Sequence, residues 1–85
     1  MSTLAIDRTL VEALKDVEDV LAYCASHSTP LDECRDFVKE VLSDLSGVRF
    51  GVFVRGDSYG AVVRRGGVEI TVICTRRGVC HRVYG

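Results

Sequence analysis

Cysteine beside histidine is the combination in this sequence with the chemistry for nucleophilic catalysis, because a histidine base can activate a thiol. Cys80 and His81 are adjacent in a predicted strand, and neighbouring strand residues point to opposite faces. Cys24 and His27 are three residues apart on a predicted helix, but His27 lies at the helix end and no third group accompanies the pair. The spacing therefore favours no nucleophilic site, and we expect the chain not to be an enzyme.

A metal centre needs the same residue types at another spacing. Cys24, His27 and Cys34 could supply three zinc ligands, with the fourth from a distant part of the chain. The sequence has no C-x2-C pair, the usual mark of a structural zinc site. Gly66-Gly67 joins two strands and opens no helix, so it is not a phosphate-binding loop. We expect no metal, no cofactor and no small-molecule substrate.

The arginines are the second set of candidate functional residues, because they are concentrated in one half of the chain. Residues 1–46 hold ten acidic and four basic residues, a net charge of −6. Residues 47–85 hold seven arginines against Asp57 and Glu69, a net charge of +5. Arginines neutralise phosphates, and an aromatic ring among them can stack on a base. Nucleic-acid binding is therefore one hypothesis, with the candidate residues Arg49, Phe53, Arg55, Arg64, Arg65, Arg76 and Arg77.

A competing hypothesis uses the apolar residues among these arginines. Phe53, Val62 and Ile73 are predicted to share a solvent-facing sheet surface, and such patches often mark interfaces. We favour this interpretation: a non-enzymatic module that forms a homodimer or binds a protein partner through the open face of its sheet. A third reading is a solvated arginine surface whose ion pairs add heat stability.

The first 46 residues must form the helices of the fold. Leu10, Leu14, Val17, Leu21 and Cys24 recur at helical spacing, with a start at a Thr9–Glu12 capping box or earlier, near Thr3. A second helix is predicted from Thr29, as N-cap before Pro30, to a stop at Gly47.

The link between the two helices is short, so they form an αα-hairpin. Antiparallel helices bring together positions whose residue numbers have a nearly constant sum. Cys24 with Cys34 and Val17 with Val41 share one sum, so the two apolar stripes face each other. We therefore predict a Cys24–Cys34 disulfide, with two buried thiols as the alternative.

From Val48 the hydrophobic period changes to two, which predicts strands over 48–55, 59–64, 68–74 and 79–84. Turns at Gly56-Asp57 and Gly66-Gly67 pair Val54 with Tyr59 and Arg64 with Glu69. One sheet face then collects Val48, Phe50, Val52, Val54, Tyr59, Ala61, Val63, Ile70 and Val72. A sheet with one apolar face must bury it, so the helices should pack there.

The last strand has two possible registers. A three-residue loop with Gly78 in the left-handed region pairs Cys74 with Cys80 in a second disulfide and puts Arg82 on the core face. A loop of another length turns Val79, His81 and Val83 inward instead. We prefer the first register slightly.

Composition indicates the environment. The chain has no Asn, Gln or Trp, and thermophile proteins deplete amides because these deamidate when hot. Intracellular disulfides are also common in hyperthermophiles. Asp7, Arg8 and Glu12 interrupt the apolar N-terminus, so we expect no signal peptide, and no apolar run is long enough to span a membrane. We therefore expect a cytoplasmic protein of a hyperthermophilic archaeon or of one of its viruses.

Together these patterns predict a single domain of 85 residues with an α+β fold. Residues 1–46 form an acidic N-terminal helical hairpin, packed on one face of a basic four-stranded antiparallel β-meander formed by residues 47–85.

Overall fold

The computed structural model describes residues 8–85 and has the predicted α+β architecture. Two helices come first, α1 (Arg8–His27) and α2 (Leu31–Val41). Four strands follow: β1 (Val48–Arg55), β2 (Ser58–Arg65), β3 (Val68–Cys74) and β4 (Cys80–Tyr84). They form one antiparallel sheet in the order β1-β2-β3-β4, the predicted meander.

The helix ends differ from the prediction. Thr9 lies inside α1, so the Thr9 capping box is wrong, and a start near Thr3 lies outside the described residues. The N-cap of α2 is Pro30, without a side-chain cap, and not Thr29. Thr29 is buried instead: its N–H donates to the Cys24 carbonyl at 3.0 Å, and its own carbonyl accepts a hydrogen bond from the Tyr59 hydroxyl. Helix α2 ends at Val41, and turns carry the chain to Gly47, which has a φ of 72°.

The registers of the first three strands are as predicted. Val54 pairs with Tyr59 and Arg64 with Glu69, because the two-residue turns leave no freedom to slip. Gly56, Gly66 and Gly78 all have positive φ, which these tight turns require. Of the predicted core face, Tyr59, Ala61, Val63, Ile70 and Val72 are buried, whereas Val54 at the end of β1 is 46% exposed.

Both predicted disulfides are present, one within the helical half of the fold and one within the sheet half. Cys24 and Cys34 link α1 to α2, with a Cα–Cα distance of 6.0 Å. Cys74 and Cys80 link β3 to β4, which confirms the preferred register of the last strand. The sulfur atoms of Cys74 and Cys80 lie 3.4 and 3.8 Å from the Glu18 carbonyl oxygen on α1.

One ion pair fixes the last strand to the first helix. Arg82 lies on the core face of β4, as predicted, and its Nε and second terminal nitrogen donate to the two carboxylate oxygens of Glu18 at 2.9 and 3.2 Å. The hydrogen bond that Arg82 donates to Glu18 raises the pKa of Arg82 above its usual value. Both side chains are about three-quarters buried, so the contact is partly shielded from solvent.

Neither described helix is long and apolar enough to cross a membrane.

Candidate interaction surface

The second face of the sheet carries the predicted interface residues Phe53, Val62 and Ile73. Both helices pack on the core face, α1 against β2 and β3 and α2 against β1. The pairing arranges the other face, called here the open face, in rows that run across the strands. The four rows are Arg49–Arg64–Glu69, then Gly51–Val62–Thr71–Val83, then Phe53–Gly60–Ile73–His81, then Arg55–Ser58.

Phe53 lies on the edge strand β1, and Gly60 lets its ring lie inward over β2. The two residues are directly paired across β1 and β2, and the Phe53 ring lies over Gly60. A Cβ atom at residue 60 would collide with the tip of the ring. The ring is therefore half-buried against the sheet and not projected into solvent.

The three predicted interface residues share one apolar patch. Ile73 pairs with Gly60 on the side away from Phe53, and Val62 lies in the adjacent row on β2. All three are half-buried. The structure adds Val83, which pairs with Thr71 and is 59% exposed. The sequence signal for Val83 was present in the preferred register of β4, which places residue 83 on the same face as residue 71.

The candidate arginines do not form one patch. Arg49 and Arg64 pair with each other at one end of the open face, and Arg55 lies at the other end. Six residues separate Arg49 from Arg55 along β1, a distance of roughly 20 Å. Arg76 and Arg77 lie in the β3–β4 turn, at the Arg55 end. The apolar patch occupies the space between the two groups.

The arginines also differ in their partners. Arg64 forms an ion pair with Glu69, with its Nε 2.7 Å from the carboxylate. Arg65 faces the helix side of the sheet, between Val48 and Val68. Arg76 is 4.0 Å from Asp57, an exposed and loose contact. Within residues 8–85, Arg49 and Arg55 make no ion pair.

Two open cavities lie beside these arginines. One, of about 280 Å³, is lined by Gly47, Arg49, Arg64, Arg65 and Gly66. The other, of about 530 Å³, is lined by Asp57, Ser58, Thr75, Arg76, Arg77 and Val79. The backbone N–H groups of Arg77 and Val79 donate to the Thr75 hydroxyl at 3.3 and 3.2 Å, which shapes this turn.

The two cysteine–histidine pairs lack the free thiol that nucleophilic catalysis or metal binding would need. All four cysteines are in disulfides, so neither Cys24 nor Cys80 has a thiol to act as nucleophile or metal ligand. The His27 Nδ1 lies 2.9 Å from the Tyr23 carbonyl oxygen, a hydrogen-bond acceptor, and 2.9 Å from the Ser26 hydroxyl. The His27 ring also stacks on Tyr23. No three potential ligand residues among those described are grouped to hold a metal ion.

Comparisons of the chain with models of protein families, with curated proteins and with solved structures found no match.

Proposed function

We propose that this chain is a non-enzymatic interaction module that associates with a second copy of itself through the open face. The observation that carries the proposal is the apolar patch of Phe53, Val62, Ile73 and Val83 in the two central rows of the open face, opposite the face on which both helices pack. Apolar surface removed from water contributes about 25 cal/mol per Å², so a face-to-face contact is favourable. An aromatic side chain among apolar residues, with arginines at the rim, is also typical of protein interfaces.

The size of the face indicates the strength of the contact. Four strands about 4.8 Å apart, and about seven residues long, cover roughly 450 Å² in projection. A standard interface buries about 800 Å² on each partner. The association therefore belongs to the weak, concentration-dependent class.

Nucleic-acid binding is the second candidate function, and one observation favours it. Arg49 and Arg55 flank Phe53 on β1 without ion-pair partners in residues 8–85, so they are available to phosphates. The division of the arginines between two ends weakens this candidate, because a strand of nucleic acid would have to cross an apolar centre. The Arg64–Glu69 pair also lowers the positive charge at one end.

The expected setting belongs to the same proposal: the cytoplasm of a hyperthermophilic archaeon or of one of its viruses. Two disulfides in 85 residues, with no Asn or Gln, support it.

Analytical ultracentrifugation over a range of concentrations tests the main proposal. The wild-type chain should pass from monomer to dimer, and Phe53→Asp should shift the dissociation constant at least about tenfold, because a carboxylate in the apolar centre loses its hydration. Phe37→Asp is the matched control, since Phe37 is an exposed aromatic on the helix surface. Equal effects of the two substitutions, or a monomer at every concentration, would contradict the proposal.

Fluorescence anisotropy with labelled single-stranded DNA, duplex DNA and RNA tests the second candidate. Binding whose logarithm falls linearly with the logarithm of salt concentration, and which Arg49→Glu and Arg55→Glu weaken, would establish a phosphate interface. The dimer proposal expects no such binding at physiological salt.

A further inference from the structure

We propose that the two copies pack as a β-sandwich whose two-fold axis runs parallel to the strands, midway between β2 and β3. This inference rests on the proposed function, since it specifies how the same face meets its partner. It brings residue 64 of each subunit next to residue 69 of the other subunit, at one end of the interface. The result is a four-layer dimer, with helices outside and two sheets inside.

The geometry of sheet packing allows two in-plane axes, one parallel and one perpendicular to the strands. Two sheets packed face to face keep their strand directions within about 30° of each other. A closed homodimer uses the same patch on both subunits. Rotation about an axis parallel to the strands keeps each cross-strand row opposite its own copy and brings β1 over β4 of the partner subunit.

This arrangement opposes a side chain to an open glycine in one of the two central rows. Gly51 lies opposite the partner's Val83, the most exposed apolar residue of the face. In the other central row, the partner's Ile73 meets the Phe53 ring, which lies over Gly60. No atom fills the space above Gly51 within residues 8–85, since a Cβ built there meets nothing within 4 Å. Alternation of large and small residues lets facing layers interdigitate.

The charges favour this axis over an in-plane axis perpendicular to the strands. Here Arg64 lies near the partner's Glu69, and Glu69 near the partner's Arg64. Both side chains are long enough to meet across the crossing angle of the sheets. An in-plane axis perpendicular to the strands would instead bring Arg49 over the partner's Arg55 twice, with like charges in contact. Like-charge contacts at an interface are unfavourable, so the parallel axis is the better solution.

Two charge-reversed variants test the arrangement directly. Arg64→Glu carries two acidic residues at this end, and Glu69→Arg carries two basic residues. In the proposed dimer, each variant alone opposes like charges, whereas the mixed pair opposes unlike charges at both contacts. We expect each variant alone to dimerise more weakly than wild type, and the heterodimer to be tighter than either homodimer by about tenfold, as several exposed charge pairs add.

The measurement is sedimentation of each variant and of the equimolar mixture, with one variant carrying a fluorescent label. The intrachain Arg64–Glu69 pair is lost in both variants, so a preference for the mixed dimer can come only from contacts between subunits. No preference for the mixed dimer, in a protein whose wild-type dimer is sensitive to Phe53→Asp, would overturn the parallel axis and leave the proposed function standing. A wild-type chain that stays monomeric would overturn both.

Gly51→Leu gives an independent readout. The backbone at Gly51 is not left-handed and its surroundings are open, so leucine fits the single subunit, and the melting curve checks that it does. In the proposed dimer, leucine occupies the space of the partner's Val83, and we expect the dissociation constant to rise about tenfold or more. An unchanged dissociation constant would contradict the arrangement.

Discussion

At the scale of single residues, the open face depends on two glycines with different surroundings. Gly60 lies under the Phe53 ring, so its missing side chain is what lets the ring lie against the sheet. Gly51 lies in the next row with nothing above it. The same residue type is therefore a packing requirement at one position and an open space at the other.

Alanine at these two positions should have opposite effects on stability. Gly60→Ala should lower the free energy of unfolding by about 1 kcal/mol, because the added methyl group displaces the Phe53 ring. Gly51→Ala should leave it unchanged or raise it by up to about 1 kcal/mol, because alanine reduces the freedom of the unfolded chain. Urea unfolding below the dimerisation range measures both. Destabilisation of the same size by both substitutions would show that the ring does not depend on Gly60.

At the scale of elements, β4 is the shortest strand of the sheet. It is an edge strand of five residues, and it pairs with β3 alone. The Cys74–Cys80 disulfide holds its beginning, and the Arg82–Glu18 pair connects it to α1. Since Val83 lies on β4, these two contacts also position one quarter of the apolar patch.

Removal of the Arg82–Glu18 ion pair should therefore lower the free energy of unfolding more than removal of an exposed ion pair does. Glu18→Ala should lower the free energy of unfolding by about 1.5–3 kcal/mol, since it breaks two hydrogen bonds to a charged group and leaves Arg82 partly buried without its partner. Arg76→Ala is the control: its 4.0 Å contact with Asp57 is exposed and should contribute less than about 0.5 kcal/mol. Thermal and urea unfolding give the comparison, and similar losses for the two variants would argue that the pair does not secure β4.

At the scale of the whole molecule, the charges are separated along the layers of the fold. The acidic residues are concentrated in the helical half and the arginines in the sheet half. Arg49 and Arg64 lie at one end of the open face and Arg55 at the other, with the apolar patch between them. Association through the patch and association through the arginines therefore respond differently to salt.

Dimerisation through the apolar patch should change little with salt. We expect the dissociation constant of the dimer to change by less than about threefold between 50 and 500 mM NaCl, because screening acts on the few rim charges and not on apolar burial. Contacts with six or more phosphates would instead weaken by about a thousandfold over a fourfold rise in salt. Sedimentation at several salt concentrations measures the slope, and a steep loss of dimer would contradict an apolar interface.

The features that depend on local residue spacing could be predicted from the sequence alone. The change of hydrophobic period at Val48 divides helices from strands. Two-residue turns set the pairing of Val54 with Tyr59 and of Arg64 with Glu69. The short link between the helices brings Cys24 to Cys34. Each of these relations involves residues joined by a short chain segment, so few geometries are available.

Contacts between side chains that are far apart in the sequence could be seen only in the tertiary structure. Glu18 and Arg82 are 64 residues apart in the sequence, and Tyr59 is 30 residues from Thr29, whose carbonyl it contacts. No local sequence pattern predicts either contact. Burial of Thr29 in that contact also replaced its predicted capping role. The division of the arginines between two ends follows from strand length and pairing together. These outcomes depend on how the helical layer docks on the sheet, which is set by the packing of the whole core and not by any one segment.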